Sequence, residues 1–220
     1  MQLHDDPNQA AWDRRIIEEA GQHYVYSDVF DWRNMHTVID VGAHIGAFTV
    51  WLKAINPAVQ IAAVEADPEN YGLLQQNVGN LPDVRALLGA VHYGEVPLML
   101  QRFREPDNAG SHTLMPLCDG GQPYDGALLD LVVIEDQMCW GLVDAIKLDC
   151  EGSEYSILAH ADIGLLCGCM VIVGEYHDGP ERFRHECIAR LAPWFDTVYL
   201  STTAPLGMFC LVRKGSAVCG

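Results

Sequence analysis

Four acidic side chains at the carboxyl ends of short apolar runs are the first candidates for chemistry in this sequence. Each run is rich in branched aliphatic residues and is closed by an acid or a glycine, which is typical of a buried strand. In parallel α/β sheets, ligands bind beyond the carboxyl ends of the strands. We therefore expect these side chains to meet at one edge of a sheet. The four acids are Asp40, Glu65, Asp149 and Glu175.

A turn with two glycines follows the first predicted strand. Gly42 allows a tight turn, and Gly46 lets the next helix pack closely on the strand and on a ligand. His44 stands where a dinucleotide fingerprint has its middle glycine, which hinders a pyrophosphate and disfavours an NAD-linked oxidoreductase. Glu65 follows Gly42 by 23 residues, where this architecture places the carboxylate that hydrogen-bonds a ribose. The pattern predicts a nucleoside-like ligand that needs no phosphate.

The alternation of strand and helix patterns predicts one doubly wound α/β domain with a mostly parallel, seven-stranded sheet. We assign residues 1–36, with a helix over 9–20, to an N-terminal cover on the substrate side, and residues 37–220 to the domain itself. Only residues 201–207 separate the last two strands, so these should form an antiparallel hairpin at the sheet edge. The seven strands are predicted at 37–42, 60–64, 84–91, 143–148, 169–174, 197–200 and 208–212, with a further strand at 96–101.

The composition excludes several classes of partner. Thirty acidic residues against 13 Lys and Arg give the 220-residue chain a formal net charge of −17. Because phosphate backbones and anionic lipids are bound through cationic side chains, we expect neither nucleic acid nor a membrane as partner. The apolar runs are shorter than the roughly 18 residues of a membrane span, and the polar start does not resemble a signal peptide. The eight cysteines lack zinc-ligand spacing, so we expect free thiols in a reducing cytoplasm.

Four sequence blocks, in order along the chain, resemble a known family. The blocks are VIDVGAHIGAFT at 38–49, AVEADP at 63–68 with Asn77 after it, IKLDCEGSE at 146–154 and VGEYH at 173–177. They resemble the motifs of FkbM-type class I methyltransferases, which use S-adenosylmethionine. The third block is similar to that family's most specific signature, Lys-x-Asp-x-Glu-Gly-x-Glu.

The resemblance implies a Rossmann-like methyltransferase fold and a cofactor-binding edge of the sheet. It implies that the methionine and ribose end of the cofactor meets the first turn, that Glu65 binds the ribose hydroxyls, and that the adenine lies near the third strand. The residues that this implies for the methionine end are Asp40, Gly42, Ala43 and Gly46, and those for the adenine are Ala90 and Val91.

Asp149, Glu175 and His177 are the candidate catalytic residues. Asp149 should face the reactive centre, although capping the helix at 153–160 is the structural alternative. Glu175 and His177 alternate on one strand end and so point the same way, where the carboxylate can hold the imidazole and raise its basicity. We predict no dedicated metal ligands, but these three side chains would also suit a divalent cation. His44 is expected to pack or hydrogen-bond within its loop, and His112 is a further candidate base.

For the reaction, the resemblance favours O-methylation of a hydroxyl or carboxylate of a small molecule in a biosynthetic pathway. The alternatives are N-methylation on the same fold and a non-catalytic cofactor-binding partner in an assembly. Residues 104–126 are expected to be a substrate lid or a disordered insertion. Trp12 and Trp32 are expected to pack in a core or an interface, with apolar lining of the acceptor pocket as the alternative. A homodimer or a carrier protein is expected to complete the site.

Overall fold

The central sheet is built from short apolar strands separated by helices. The computed structural model describes residues 1–23, 30–94, 98–102, 112–116, 122–201 and 206–216. The strands in it are β1 (Thr37–Val41), β2 (Gln60–Glu65), β3 (Val84–Leu88), β4 (Ala90–Val91), β5 (Leu98–Arg102), β6 (His112–Pro116), β7 (Gln122–Pro123), β8 (Leu128–Leu129), β9 (Ala145–Leu148), β10 (Val171–Tyr176), β11 (Phe195–Leu200) and β12 (Gly207–Arg213). Seven of them form the main sheet, in the spatial order β11-β12-β10-β9-β1-β2-β3.

The order of the strands reverses beside β1. This strand pairs in parallel with β2 on one side and with β9 on the other. At the far edge, β12 lies antiparallel between β10 and β11. The predicted doubly wound sheet and its antiparallel edge hairpin are therefore confirmed.

Helices cover both faces of the sheet. Successive residues of a central strand point to opposite faces, and both sets of residues are apolar. Ile39 and Val41 of β1 belong to one core, whereas Val38 belongs to the other. The helices are α1 (Pro7–His23), α2 (Ala47–Ile55), α3 (Pro68–Val78), α4 (Leu131–Met138), α5 (Glu154–His160), α6 (Ile163–Gly168), α7 (Pro180–Phe183) and α8 (Ala189–Leu191), the last two joined by a π-helical turn, Arg184–Ile188. Residues of α4 to α8 fill the first core, and residues of α2 and α3 fill the second. Among the described residues, no helix has the length and apolar character to cross a membrane.

The N-terminal helix α1 lies against helix α2. It contacts α2 closely at Gly21, where an added Cβ would come within 2.8 Å of the Trp51 Nε1 atom. Trp32 follows in a 3₁₀ turn, is 3% exposed and packs edge-on against the Phe48 ring at 5.2 Å between ring centroids. Trp32 is therefore a core residue, as the sequence indicates.

The structure differs from the prediction around the third strand and after it. The predicted strand 84–91 breaks at Gly89, after which β4 pairs with β8 instead of continuing the main sheet. The predicted loop 104–126 contains β6 and β7, which pair antiparallel with β5. Residues 104–111 and 117–121 of that stretch lie outside the described residues, so the lid and its alternative, a disordered insertion, stay predictions.

Two further elements depart from the sequence interpretation. Helix α6 was not predicted because its six residues are too few to show a helical period; the Asp162 carboxylate begins it by accepting the Leu165 N–H at 2.9 Å. Strand β10 extends two residues beyond the predicted end at 174, so Glu175 lies within the strand.

Candidate functional site

A cleft lies at the carboxyl ends of the parallel strands, beside the point where the strand order reverses. Its floor comes from the turn after β1, the end of β2, the short strand β4 and the loop after β9, and one wall comes from α1. Predicted residues among those that line the cleft are Gly42, Ala43, Glu65, Ala90, Val91, Asp149 and Glu175. Trp12 also lines it, which agrees with the lining role that the sequence left open for this side chain and not with the preferred core or interface role.

The first turn requires glycine at both predicted positions. Gly42 has a φ of +76°, and a Cβ there would lie 1.8 Å from the Asp149 carbonyl oxygen. Gly46 has a φ of +91°, and a Cβ there would lie 2.9 Å from Leu74 Cδ1 of α3. The two glycines therefore bring the turn against the loop after β9 and bring α2 against α3.

Glu65 is held in the cleft by two backbone groups. Its Oε2 atom accepts the His44 N–H at 2.8 Å, and its Oε1 atom accepts the Asp67 N–H at 2.9 Å. The residue is 7% exposed. Each carboxylate oxygen can accept more than one hydrogen bond, so the fixed carboxylate can still accept two hydroxyls such as those of a ribose.

Asp40 lies behind the turn and is fully buried. One of its oxygens, Oδ2, accepts the Thr49 hydroxyl at 2.7 Å, and Oδ1 lies 3.1 Å from Lys147 Nζ. The Lys147 ammonium in turn donates to the Gly42 carbonyl oxygen at 2.7 Å. Asp40 therefore acts on the glycine turn through Lys147.

Lys147 is a site residue that sequence reasoning missed. It lines the cleft and lies 3.8 Å from Asp149 Oδ2 as well as beside Asp40. Burial lowers the pKa of Lys147, but the Asp40 and Asp149 carboxylates outweigh burial and raise that pKa above its usual value. Its only sequence signal was its place in the 146–154 block, two residues before Asp149.

Glu154 shapes the loop that follows β9. Its Oε1 atom accepts the Cys150 N–H and its Oε2 atom accepts the Gly152 N–H, each at 2.8 Å. Glu151 and Gly152 have positive φ values of 54° and 112°, so these bonds hold a left-handed turn. Glu154 is fully buried, and the turn that it holds contains Glu151.

His177 lies between two of these carboxylates. Its Nδ1 atom is 3.1 Å from Glu154 Oε1, and its Nε2 atom is 3.4 Å from Glu151 Oε2. Burial lowers the pKa of His177, but Glu154 and Glu151 raise it more, to about 10. The imidazole is therefore a cation at neutral pH and has no lone pair with which to accept a proton.

Glu175 and Glu151 have carboxyl groups that titrate near neutral pH. Burial raises the pKa of Glu175 to about 7, and the nearby Asp149 carboxylate adds to the increase. Burial likewise raises the pKa of Glu151 to about 7. A carboxylate with a pKa near the working pH suits general-base catalysis, so Glu175 meets this requirement better than the His177 cation.

The same cluster resembles a cation site, with one change to the predicted set. Ligand atoms of Asp149, Glu151 and His177 lie within 4.8 Å of one another, so Glu151 takes the place that the sequence gave to Glu175. The site can therefore hold a cation with two carboxylates once the imidazole loses its proton. The described part of β6 gives no account of the His112 side chain, and its role as a base stays a prediction.

Comparison with known proteins assigns the family. The model of the methyltransferase FkbM domain matches residues 40–198. No curated protein gives a significant match.

Two solved structures share the fold at low sequence identity, and a third is a weaker likeness. A protein of the NADB-Rossmann superfamily from Streptococcus agalactiae has 14% identity and a TM-score of 0.51, covering 97% of this chain and 70% of its own. Sp1610 from Streptococcus pneumoniae, a proposed tRNA (m1A22) methyltransferase, has 13% identity and a TM-score of 0.50, covering 91% and 69%. TrmK from M. capricolum, solved with S-adenosyl-homocysteine, has 9% identity and a TM-score of 0.45, covering 91% and 68%.

The family match covers well over half of the chain and includes the glycine turn, Glu65 and the acidic cluster after β9 and β10. The chain belongs to the FkbM methyltransferase family and is an S-adenosylmethionine-dependent methyltransferase.

Proposed function

We propose that the chain methylates a hydroxyl oxygen of a small molecule, with Glu175 as the general base. The observation that carries this proposal is the acidic end of the cleft, where Asp149 and Glu175 lie together and the Glu175 pKa is about 7. A hydroxyl is a weak nucleophile until a base takes its proton, and a positioned base contributes roughly 10²–10⁴-fold to such a step.

The cofactor would occupy the part of the cleft that is formed by the first turn, the end of β2 and the strand β4. Glu65 would accept the ribose hydroxyls, the turn at Gly42 and Ala43 would lie along the methionine end, and Ala90 and Val91 would flank the adenine. S-adenosylmethionine supplies an electrophilic methyl group on a sulfonium, so the protein's part is to orient the acceptor and manage its proton.

The charge of the acceptor end favours some acceptors over others. Asp149, Glu151 and Glu175 would repel an acceptor carboxylate, so a hydroxyl fits this end better than the carboxylate also considered from the sequence. Trp12 and Ile16 of α1 form an apolar wall over the cleft, and this wall would cover an acceptor of moderate size.

N-methylation is the second candidate, and the same acids favour it. A protonated amine would be attracted to the carboxylates and could lose its proton to Glu175 before transfer. The two reactions separate in a comparison of matched acceptors that differ only in a hydroxyl or an amine, read as methylated product by mass. Product from the hydroxyl compounds supports our proposal, and product from the amines alone refutes it.

The cofactor site is tested separately by calorimetry with S-adenosylhomocysteine. Glu65→Ala should weaken binding by at least about tenfold, since it removes a charge-assisted partner of the ribose. Glu69→Ala removes an exposed acid four residues away and should leave binding unchanged. Equal affinity in wild type and Glu65→Ala would place the nucleoside elsewhere. Cofactor binding without turnover of any acceptor would favour the non-catalytic alternative.

A further inference from the structure

We propose that His4, Asp13 and His44 form a binding site for a divalent transition-metal ion such as Zn²⁺. The site joins the N-terminal segment and α1 to the glycine turn. Its three ligand atoms lie within 4.8 Å of one another. The residues come from three separate parts of the chain, so the fold alone brings them together.

The distances suit a small metal ion. His4 Nδ1 lies 3.1 Å from Asp13 Oδ1 and 3.0 Å from Oδ2, and His44 Nε2 lies 3.9 Å from Oδ1. Zinc bonds of about 2.0–2.2 Å in a tetrahedral arrangement place neighbouring ligand atoms about 3.3 Å apart. The three ligand atoms lie within 4.8 Å of one another, so side-chain shifts of about 1 Å would bring all three groups onto one ion, with a fourth position left for water.

The Asp13 side chain is buried and held in place, and the His4 and His44 side chains are partly buried. Exposure is 1% for the Asp13 side chain, 9% for His4 and 14% for His44. The Asp13 carboxylate also accepts the His4 backbone N–H at 2.8 Å, which fixes it against the ring of the same residue. Ligands held in this way lose little freedom when an ion binds.

The donor set selects the class of ion. Two imidazole nitrogens and one carboxylate oxygen suit zinc and the neighbouring transition metals, whereas calcium and magnesium prefer oxygen ligands alone. Without metal, the His4 ring hydrogen-bonds to the Asp13 carboxylate, and this bond raises the pKa of His4 against the opposing effect of burial.

The site lies where an ion would affect the cleft. Trp12, next to Asp13 on α1, lines the wall of the cleft, and His44 lies in the turn on its floor. An ion at this point would fasten the wall to the floor. The cluster of Asp149, Glu151 and His177 belongs to the site already described, and a variant in it serves as a control in the experiment below.

The experiment uses full-length protein without a histidine tag, stripped with a chelator. Zn²⁺ binding is measured by calorimetry, and Co²⁺ is added as a probe because tetrahedral coordination gives intense visible absorption bands. Test variants are His4→Gln and His44→Gln. Control variants are His36→Gln, which changes a histidine whose side chain is 86% exposed, and His177→Gln, which changes the other cluster.

We expect His4→Gln and His44→Gln each to weaken the Zn²⁺ binding event of the wild type by more than about tenfold, whereas the two controls keep it. Zn²⁺ should also raise the melting temperature of the wild type and the controls but not of the test variants. Melting temperatures in chelator show whether each variant is folded. If one test variant does not fold, the other still tests the proposal. No Zn²⁺ binding by the stripped wild type, or equal binding by both test variants, would overturn the proposal and leave only an ion-paired contact.

Discussion

Asp40 and Lys147 form a buried ion pair whose two members should depend on each other strongly. Asp40 is 0% exposed, Lys147 is 3% exposed, and 3.1 Å separates Asp40 Oδ1 from Lys147 Nζ. Removing one member leaves an uncompensated charge in the protein interior, whereas removing both leaves none. We therefore predict that Asp40→Asn and Lys147→Met are each destabilising and that the double variant is much less so than their sum.

The structure sets the expected magnitudes. Breaking a buried pair costs about 3–5 kcal/mol of the free energy of unfolding. Asp40→Asn should fall at the low end, since Asp149 lies 3.8 Å from the remaining Lys147 ammonium. Lys147→Met should fall at the high end, because the Gly42 carbonyl also loses its donor, at about 1–3 kcal/mol. The double variant should be more stable than the sum predicts by at least about 2 kcal/mol.

Urea denaturation of the four proteins measures this coupling. With a typical slope of about 1–3 kcal/mol per molar urea, a loss of 4 kcal/mol moves the midpoint by more than about 1 M. Lys214→Met changes an exposed lysine and should alter the free energy of unfolding by no more than about 0.5 kcal/mol. If the two losses add to within about 0.5 kcal/mol, the pair is not coupled as described and the reasoning fails.

Three further predictions concern the site. Gly42→Ala should abolish S-adenosylhomocysteine binding in calorimetry, because the new Cβ would lie 1.8 Å from the Asp149 carbonyl oxygen. The rate of hydroxyl methylation should rise with pH through about 7, as the carboxyl group of Glu175 loses its proton, and Glu175→Gln should remove that limb of the profile. His177→Gln should lose most stability at acidic pH: the pKa of His177 is raised from 6.5 to about 10, so its contribution is fully present below about 6.5 and disappears as pH rises through about 10.

The glycine prediction has a matched control, and each of the three has a result that would contradict it. Gly72→Ala, where a Cβ would meet nothing within 4 Å, should leave binding intact, and normal binding by Gly42→Ala would remove the steric argument. An unchanged pH profile in Glu175→Gln would assign the base to another group. A stability difference between His177→Gln and wild type that grows from pH 6 to pH 10 would reverse the sign expected for a raised pKa.

The central strands β1, β2, β9 and β10 could be predicted because they are buried on both faces and so are apolar along their length. The residues that lie opposite each other on neighbouring strands could not be predicted, because they depend on the order of the strands in the sheet. Asp40 and Lys147 stand opposite each other only because β9 pairs with β1, although their motifs are more than 100 residues apart. Sequence reasoning therefore placed Asp40 at the ligand and gave Lys147 no role.

The small elements could not be predicted from the sequence, for the same physical reason. Strand β5 gains its partners β6 and β7 from a stretch rich in glycine, proline and aspartate, so its pairing rests on non-local contacts. The cluster of His4, Asp13 and His44 likewise has no pattern along the sequence. The glycine turn and Glu65 were predictable because their local backbone requirements are visible in the residue types themselves.

The two hydrogen bonds accepted by Glu65 have a further consequence for the binding of ligands in the cleft. One oxygen is bound to the turn after β1 and the other to the backbone that begins α3. The carboxylate thus acts as a brace between two adjoining loops and keeps a single orientation before any nucleoside arrives. A preorganised acceptor loses little conformational entropy on association. Backbone amide exchange at His44 and Asp67 should accordingly be slow already in the free enzyme and change little when S-adenosylhomocysteine binds.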